Sequence, residues 1–295
     1  MIITQIKGGL GNQMFQYAFG RKLSLVKRTN FKLDIRSYNN DKSARKFMLD
    51  IFKTKIDIAS VSEIEKIKRW HLSAYIRKPY TLVQKLLPYY KRNIIKEKCF
   101  TCFDKNYIKF PANCILIGYW QSYKYFESIR DILLKEFKPQ TELDDKNKKV
   151  LEKIHNNNSI SIHIRRGDYI NNPIYSKFYR ALDKEYYLEA IKIIKSRIRN
   201  PKFFIFGDEI EWFKENIQLE NATYIDFNQD KPFNDLFLMN NCKHNIMANS
   251  TFSWWGAWLN NNNSKIVITP EHWFKGEFAQ TYKTTDLLPD SWIKL

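Results

Sequence analysis

Beyond residue 158 the chain alternates strand and helix signals so regularly that few architectures remain open to it. The apolar runs "SISIHIR", "KFFIFGD", "ATYIDF", "HNIMAN" and "KIVITP" are separated by helical periodicity over 185–198, from Glu209 onward, over 234–241 and over 254–259. Strands buried on both faces and joined by helices specify a parallel sheet, because parallel strands can be connected only by crossovers. The fold class is therefore α/β. The N-terminal part repeats the theme with "IITQI", the turn "KGGLGN" and an apolar-periodic run over 14–26. A second strand, "NFKLD", ends at Asp34, and "NCILIGYW" reads as a buried strand before a helix over 122–137. The polar "KPQTELDDKNKK" reads as a linker. Two domains follow, 1–139 and 140–295, with the carboxyl ends of their strands facing a central cleft, where an α/β sheet takes its ligand.

Composition sets bounds on partners more than on fold. Hydrophobic residues at 44%, with 16% aromatic, fill such cores. A net charge of +18 asks for an anionic partner. Segment 60–98 holds ten Lys/Arg against three Glu and reads as a basic face. No apolar run approaches the roughly 18 residues a bilayer span needs. Lys7 interrupts "MIITQIKGG" too early for a signal-peptide core, so a cytoplasmic location is expected. Cys99, Cys102, Cys114 and Cys242 are too few and scattered for a disulfide framework. "KCFTCF" reads as strand, which would point the thiols of Cys99 and Cys102 to opposite faces.

Three stretches carry candidate chemistry. In "HIRRGDY", Arg165 and Arg166 lie just past a strand's carboxyl end and suit an anion, since a guanidinium grips phosphate with a planar fork. Gly167 lets the backbone turn there, and Asp168 can pin a guanidinium; a plain surface ion pair is the alternative. In "NSTFSWWGAWLN", Asn249, Ser250 and Thr251 open a helix whose backbone N–H groups favour anions, with hydroxyls at Ser250, Thr251 and Ser253 as further donors. An ordinary Ser cap on a buried aromatic helix also describes it, and Trp254, Trp255 and Trp258 read as core. "GGLGNQ" is a partial G-x-G-x-x-G with Met14 in place of the third glycine and Asp34 where a ribose-binding acid would fall. A glycine turn can bring amides to a phosphate without any nicotinamide. Asp208 and Asp235 are either helix-start charges or acceptors for a purine edge. His163 points into the same crevice, and neither Asp208 nor Glu209 makes a DxD metal site.

Together, "GGLGNQMFQYAFGRKL", "GYWQSYKYF", "HIRRGDY" and "NDLFLMNNCKHNIMANSTFSWWGAWLN" resemble glycosyltransferase family 11, the bacterial α-1,2-fucosyltransferases, over nearly the whole chain. The resemblance implies a GT-B-like pair of Rossmann-like domains, the N-terminal one on the acceptor side and the C-terminal one binding GDP-fucose. It implies inverting, metal-independent transfer of L-fucose from GDP-β-L-fucose to the 2-hydroxyl of a galactose in an oligosaccharide or lipid-linked glycan. It places Arg165 on the donor β-phosphate, with Arg166 secondary, and His163 and Asp235 near the guanine. Asn12, Ser250, Thr251 and Phe252 would line the pyrophosphate. Asp208, in "FGDE" where the family often shows Ser-Asp-Asp, would support the ribose side. No general base is named outright; Asp168 is the candidate, or else the orienting partner of the arginine.

Two other classes compete. A nucleic-acid-binding protein would use the +18 charge with the 17 tyrosines and 21 phenylalanines, but these aromatics fall mostly inside apolar strands and helices. An NAD(P)-dependent enzyme would need the missing third glycine. The basic segment 60–98 fits instead a peripheral contact with anionic lipid at the inner membrane face, or a solvated basic surface.

Overall fold

A computed structural model of the chain describes residues 1–39, 45–69 and 73–295. They form two compact units, one of residues 1–140 with 285–287, the other of 141–284 with 288–295. The first unit runs β1 (Ile2–Gln5), α1 (Leu10–Lys27), β2 (Phe31–Asp34), α2 (Val61–Lys68), α3 (Ala74–Leu86), β3 (Ile94–Lys96), β4 (Cys114–Ile117) and α4 (Arg130–Glu136). Its sheet has the order β2-β1-β4-β3, every pair parallel. Met14, in place of a fingerprint glycine, is buried on α1 beside Phe15 and Tyr17. β3 was hidden in the basic segment, because "IIK" is too short to show an alternation. The expected helix over 122–137 divides into two 3-10 turns, Tyr123–Tyr125 and Glu127–Ile129, followed by α4.

The second unit runs α5 (Asp145–His155), β5 (Asn158–Ile164), α6 (Gly167–Asn171), α7 (Tyr175–Phe178), α8 (Lys184–Arg197), β6 (Pro201–Gly207), α9 (Ile210–Asn216), β7 (Ala222–Tyr224), α10 (Pro232–Asn241), β8 (His244–Ile246), α11 (Thr251–Leu259), β9 (Val267–Thr269), α12 (Glu277–Thr281) and β10 (Ile293–Lys294). Strand order is β10-β9-β8-β5-β6-β7, again with only parallel pairs. The alternation seen in the sequence is this sheet, and its apolar residues Ile160, Ile162, Ile164, Phe203, Ile205 and Ile246 meet Tyr187, Ile191 and Ile194 of α8 in one core. The last five residues of the expected linker are helix: Asp144 caps α5 by accepting from the Asn147 N–H at 2.9 Å. Trp254, Trp255 and Trp258 are buried, which settles them as core.

The cysteine reading is corrected. Cys99 and Cys102 are joined in a disulfide. The stretch is a turn after β3 rather than a strand, with Thr101 at φ +67°, and this reversal brings together thiols that a strand would hold on opposite faces. Cys114 and Cys242 are buried and free. Among the described residues no helix is long and apolar enough to cross a membrane.

Candidate active site

The second sheet reverses its winding between β5 and β8. From β5 the chain steps to β6 and β7 on one side, then crosses to β8, β9 and β10 on the other. At such a point the loops beyond two adjacent strands diverge and leave a crevice at the carboxyl edge. Those loops are "RRGDY" after β5 and "ANST" after β8, so strand order brings together two motifs more than 80 positions apart in sequence. Tyr169 ties them, its buried hydroxyl donating to the Asn249 carbonyl at 3.0 Å.

Arg165 is held between two carboxylates. Its Nη1 lies 2.8 Å from Asp208 Oδ2, and its Nη2 is paired with Asp168. Asp208 also accepts from the Arg166 backbone N–H at 2.9 Å. It reaches this position because Gly207, at φ +136°, turns the chain where any Cβ would strike the Ile164 carbonyl. Gly167 serves close approach rather than the turn assigned to it from sequence: a Cβ there would stand 3.3 Å from Asp208 Oδ2. Arg166 is packed, with its guanidinium 3.7 Å over the Trp212 ring and Nη1 donating to the Leu182 carbonyl.

His163 is buried on β5, its ring centroid 5.6 Å from that of Phe252. Burial, then the Arg165 charge, lowers its pKa to about 3, so the imidazole is neutral. Ser250 caps α11, accepting from the Phe252 N–H at 3.3 Å, while Thr251 and Phe252 occupy its first turn, half-buried. Ser253 faces inward and accepts from the Ala248 N–H at 3.0 Å, so it braces the loop and is not a surface donor. Asp235 lies in the first turn of α10, which begins at the carboxyl side of the sheet because it follows β7. It accepts from Asn228 at 2.7 Å, and Asn228 is bonded in turn to Asn147 in the first turn of α5. Burial nonetheless pushes the Asp235 carboxyl up to about 7.

Among the described residues of the second unit, the buried side-chain polar atoms with no hydrogen-bond partner are His163 Nδ1, Arg166 Nε and Asn249 Oδ1. His163 Nδ1, on β5, and Asn249 Oδ1, just past β8, flank the β5/β8 crossover, whereas Arg166 Nε belongs to the guanidinium packed on Trp212. Native proteins rarely leave such atoms unsatisfied, and two at one crossover mark a site completed by something else.

Asn12 belongs to the first unit. It lies in the first turn of α1 and accepts from Gln121 Nε2 at 2.9 Å, which joins the loops beyond β1 and β4, the strands flanking that sheet's own reversal. Asp34, the would-be ribose acid, is buried and forked by Arg36 at 2.8 and 2.9 Å. Sequence reasoning missed Glu97. Directly after β3 it accepts from the Tyr119 and Trp120 backbone N–H groups, each at 2.7 Å, and burial pushes its carboxyl up to about 7. A signal was present, since Glu97 is the only acid in 66–98. Tyr169 was missed as well, because its partner lies 80 positions away.

Comparison with known proteins shows the family and the fold. A family profile described as glycosyl transferase family 11 matches residues 1–295. The chain is 34% identical over 303 residues to an alpha-1,2-colitosyltransferase of Escherichia coli, covering 100% of this chain and 99% of that one. It is 35% identical over 313 residues to the O-antigen biosynthesis glycosyltransferase WbnK of Escherichia coli, covering 98% and 99%. A galactoside alpha-(1,2)-fucosyltransferase 2 of Pongo pygmaeus is 26% identical over 167 residues, 53% of this chain and 48% of that one. In fold, the fucosyltransferase NodZ from Bradyrhizobium aligns with a TM-score of 0.51 at 13% identity, covering 86% of this chain and 90% of that one. The architecture, two α/β units with parallel sheets, is of the GT-B type.

Proposed function

Because this chain belongs to glycosyl transferase family 11, we propose that it is an inverting α-1,2-fucosyltransferase, moving L-fucose from GDP-β-L-fucose to the 2-hydroxyl of a galactose. The observation that carries this reading is the β5/β8 crossover, where Arg165 and the α11 N-terminus stand beside two unsatisfied buried polar atoms, His163 Nδ1 and Asn249 Oδ1. An anionic, hydrogen-bonding ligand such as a nucleoside diphosphate fits them. In this reading Arg165 binds the β-phosphate, and Ser250, Thr251 and Phe252 line the pyrophosphate. Asp235 and His163 face guanine, and Asp208 orients Arg165 on the ribose side. Asn12 joins Ser250, Thr251 and Phe252 at the pyrophosphate, the rest of the first unit serves the acceptor side, and the location is cytoplasmic.

The chemistry breaks the bond from fucose C1 to the β-phosphate oxygen, which leaves with its electron pair on GDP. The acceptor oxygen bonds to C1 from the opposite face and loses its proton. Charge grows on the leaving phosphate, where a preorganised guanidinium stabilises the transition state more than the ground state. Asp168, ion-paired with Arg165, positions that guanidinium and is the candidate carboxylate for the acceptor proton. Asp168 and Asp208 are both engaged in ion pairs with Arg165, so neither is a ready ligand for a divalent ion, and we propose that turnover needs none.

The identity to a colitosyltransferase favours a second reading, a GDP-linked colitose as donor. Colitose is L-fucose without its 3-hydroxyl, and a site that hydrogen-bonds this hydroxyl would discriminate strongly. The test offers GDP-fucose and GDP-colitose with a panel of β-galactosides, in EDTA, and reads product mass and linkage. A 1,2-linked fucoside formed in EDTA is the expected outcome. Transfer of colitose alone would replace the donor assignment, and turnover only after Mg²⁺ or Mn²⁺ is added back would defeat the metal-free one.

A further inference from the structure

A surface helix normally turns its apolar face inward. α3 does the reverse. None of its residues is buried. It is held by its polar-tipped side: the Tyr80 hydroxyl accepts from Asn93 Nδ2 at 2.7 Å, Gln84 Oε1 accepts from the Asn93 N–H at 2.9 Å, and the Arg69 guanidinium lies 5.7 Å over the Tyr80 ring. Tyr75, Leu82 and Leu86, spaced i, i+7 and i+11, align on the opposite face and are 90%, 61% and 78% exposed. Ile76 and Val83 widen this apolar strip on one side, and Lys78 and Lys85, also seven apart, border it on the other. No acidic residue occurs between Glu65 and Glu97, a stretch that holds nine Lys/Arg.

We propose that α3 is an interfacial helix that lays its outward apolar strip on a bilayer surface carrying anionic headgroups. Charge selects this occupant. A second copy of the chain would bring the same uncompensated basic stretch and a net charge of +18 against itself. A nucleic acid would satisfy the lysines and leave Leu82 and Leu86 in water. An anionic membrane takes both: leucine and tyrosine enter the headgroup boundary while the bordering lysines remain at phosphate level. Neither signal is strong alone, and the combination gives stable but reversible docking. The inference is independent of which sugar the second unit transfers.

The full chain would be sedimented with vesicles of phosphatidylcholine alone and of phosphatidylcholine containing phosphatidylglycerol. Binding to the anionic vesicles, at least about tenfold above neutral ones and weakened by salt, is the expected result. Replacing Lys78 and Lys85 together by Gln should lower it about 30-fold. Leu82→Ser with Leu86→Ser should lower it about tenfold or more. Both variants should keep the wild-type circular dichroism and melting temperature, because these side chains are exposed. Equal binding to both vesicle types, or folded variants that bind as wild type does, would overturn the proposal. So would a wild-type dimer that the leucine changes dissociate, without vesicle binding, since the strip would then face a second copy.

Discussion

The carboxyl edges of the two sheets are built alike and charged differently. Beyond β5, Arg165 is fixed between Asp168 and Asp208, its charge locked in by partners. Beyond β3, Glu97 accepts from two backbone N–H groups and, among the described residues, forms no ion pair, and burial raises its carboxyl to about 7. The same topology thus yields one edge with a charged guanidinium and another whose carboxyl titrates near neutrality. Asp235 lies on the first edge but resembles Glu97, because burial raises its carboxyl to about 7 and the hydrogen bond from Asn228 offsets only part of that. At both positions burial outweighs the hydrogen bonds that favour the ionised form.

The comparison breaks most visibly at Arg165. Lysine there keeps the charge and loses the two-pronged geometry, so Arg165→Lys should lower kcat about 10²- to 10³-fold, roughly 2.7–4 kcal/mol. Arg166→Lys should cost clearly less in rate, since its guanidinium is spent on Trp212 and the Leu182 carbonyl. Equal losses at the two positions, in steady-state kinetics on folded variants, would show that the gripping residue is misassigned.

Asp235→Asn tests the conditional charge on the donor edge. An amide presents a donor to guanine's own donors, so donor KM should rise about tenfold with kcat near normal. In the wild type, if Asp235 receives guanine's N–H groups as proposed, donor KM should fall as pH rises through about 7, where the carboxylate ionises. Stability moves the opposite way. The folded carboxyl titrates near 7, above its ordinary 3.8, so the folded chain keeps a proton that the unfolded chain releases. Stability therefore falls as pH climbs from about 4 to about 7 and stays reduced above that. The variant escapes this penalty and should melt higher than wild type at about pH 8, with the difference vanishing toward about pH 4. A pH-independent difference in melting would mean that Asp235 is not the titrating group.

Glu97→Gln should have the smallest effect. Its amide nitrogen cannot accept from Tyr119 or Trp120, which leaves one buried N–H unpaired at a cost of about 1–3 kcal/mol. Wild-type Glu97 carries its own burial penalty once ionised, so the deficit should be larger at about pH 5 than at about pH 8. A deficit that grows with pH would show that the wild-type carboxylate is stabilised rather than strained at this edge.

Much of this molecule is written locally. The alternation from 158 onward fixes a parallel α/β unit, and "HIRRGDY" places Arg165 and Asp168 three residues apart beyond a strand, near enough to pair in any α/β fold. The apolar "TFSWWGAWL" likewise specifies a buried helix, with Ser250 able to cap it. Such features depend on periodicity and capping within a few residues, which the chain carries in its own order. Strand order carries the rest. Only when β8 lies beside β5 does Asn249 meet Tyr169, and only when β4 lies beside β3 do the Tyr119 and Trp120 amides reach Glu97. The same holds for residues 285–287, which return to the first unit where Asp286 pairs with Lys124 at 2.6 Å, and for Arg166, which stacks on Trp212 from another helix. These contacts join residues about 20 to more than 160 positions apart, and no local pattern encodes which distant backbone will supply a donor. Local order carries the alternation of strands and helices, β3 excepted, and the starts of the charged loops; adjacency of distant strands selects which charges are paired and, among the described residues, which carboxyls are buried without an ion pair, because those partners come from elsewhere in the chain.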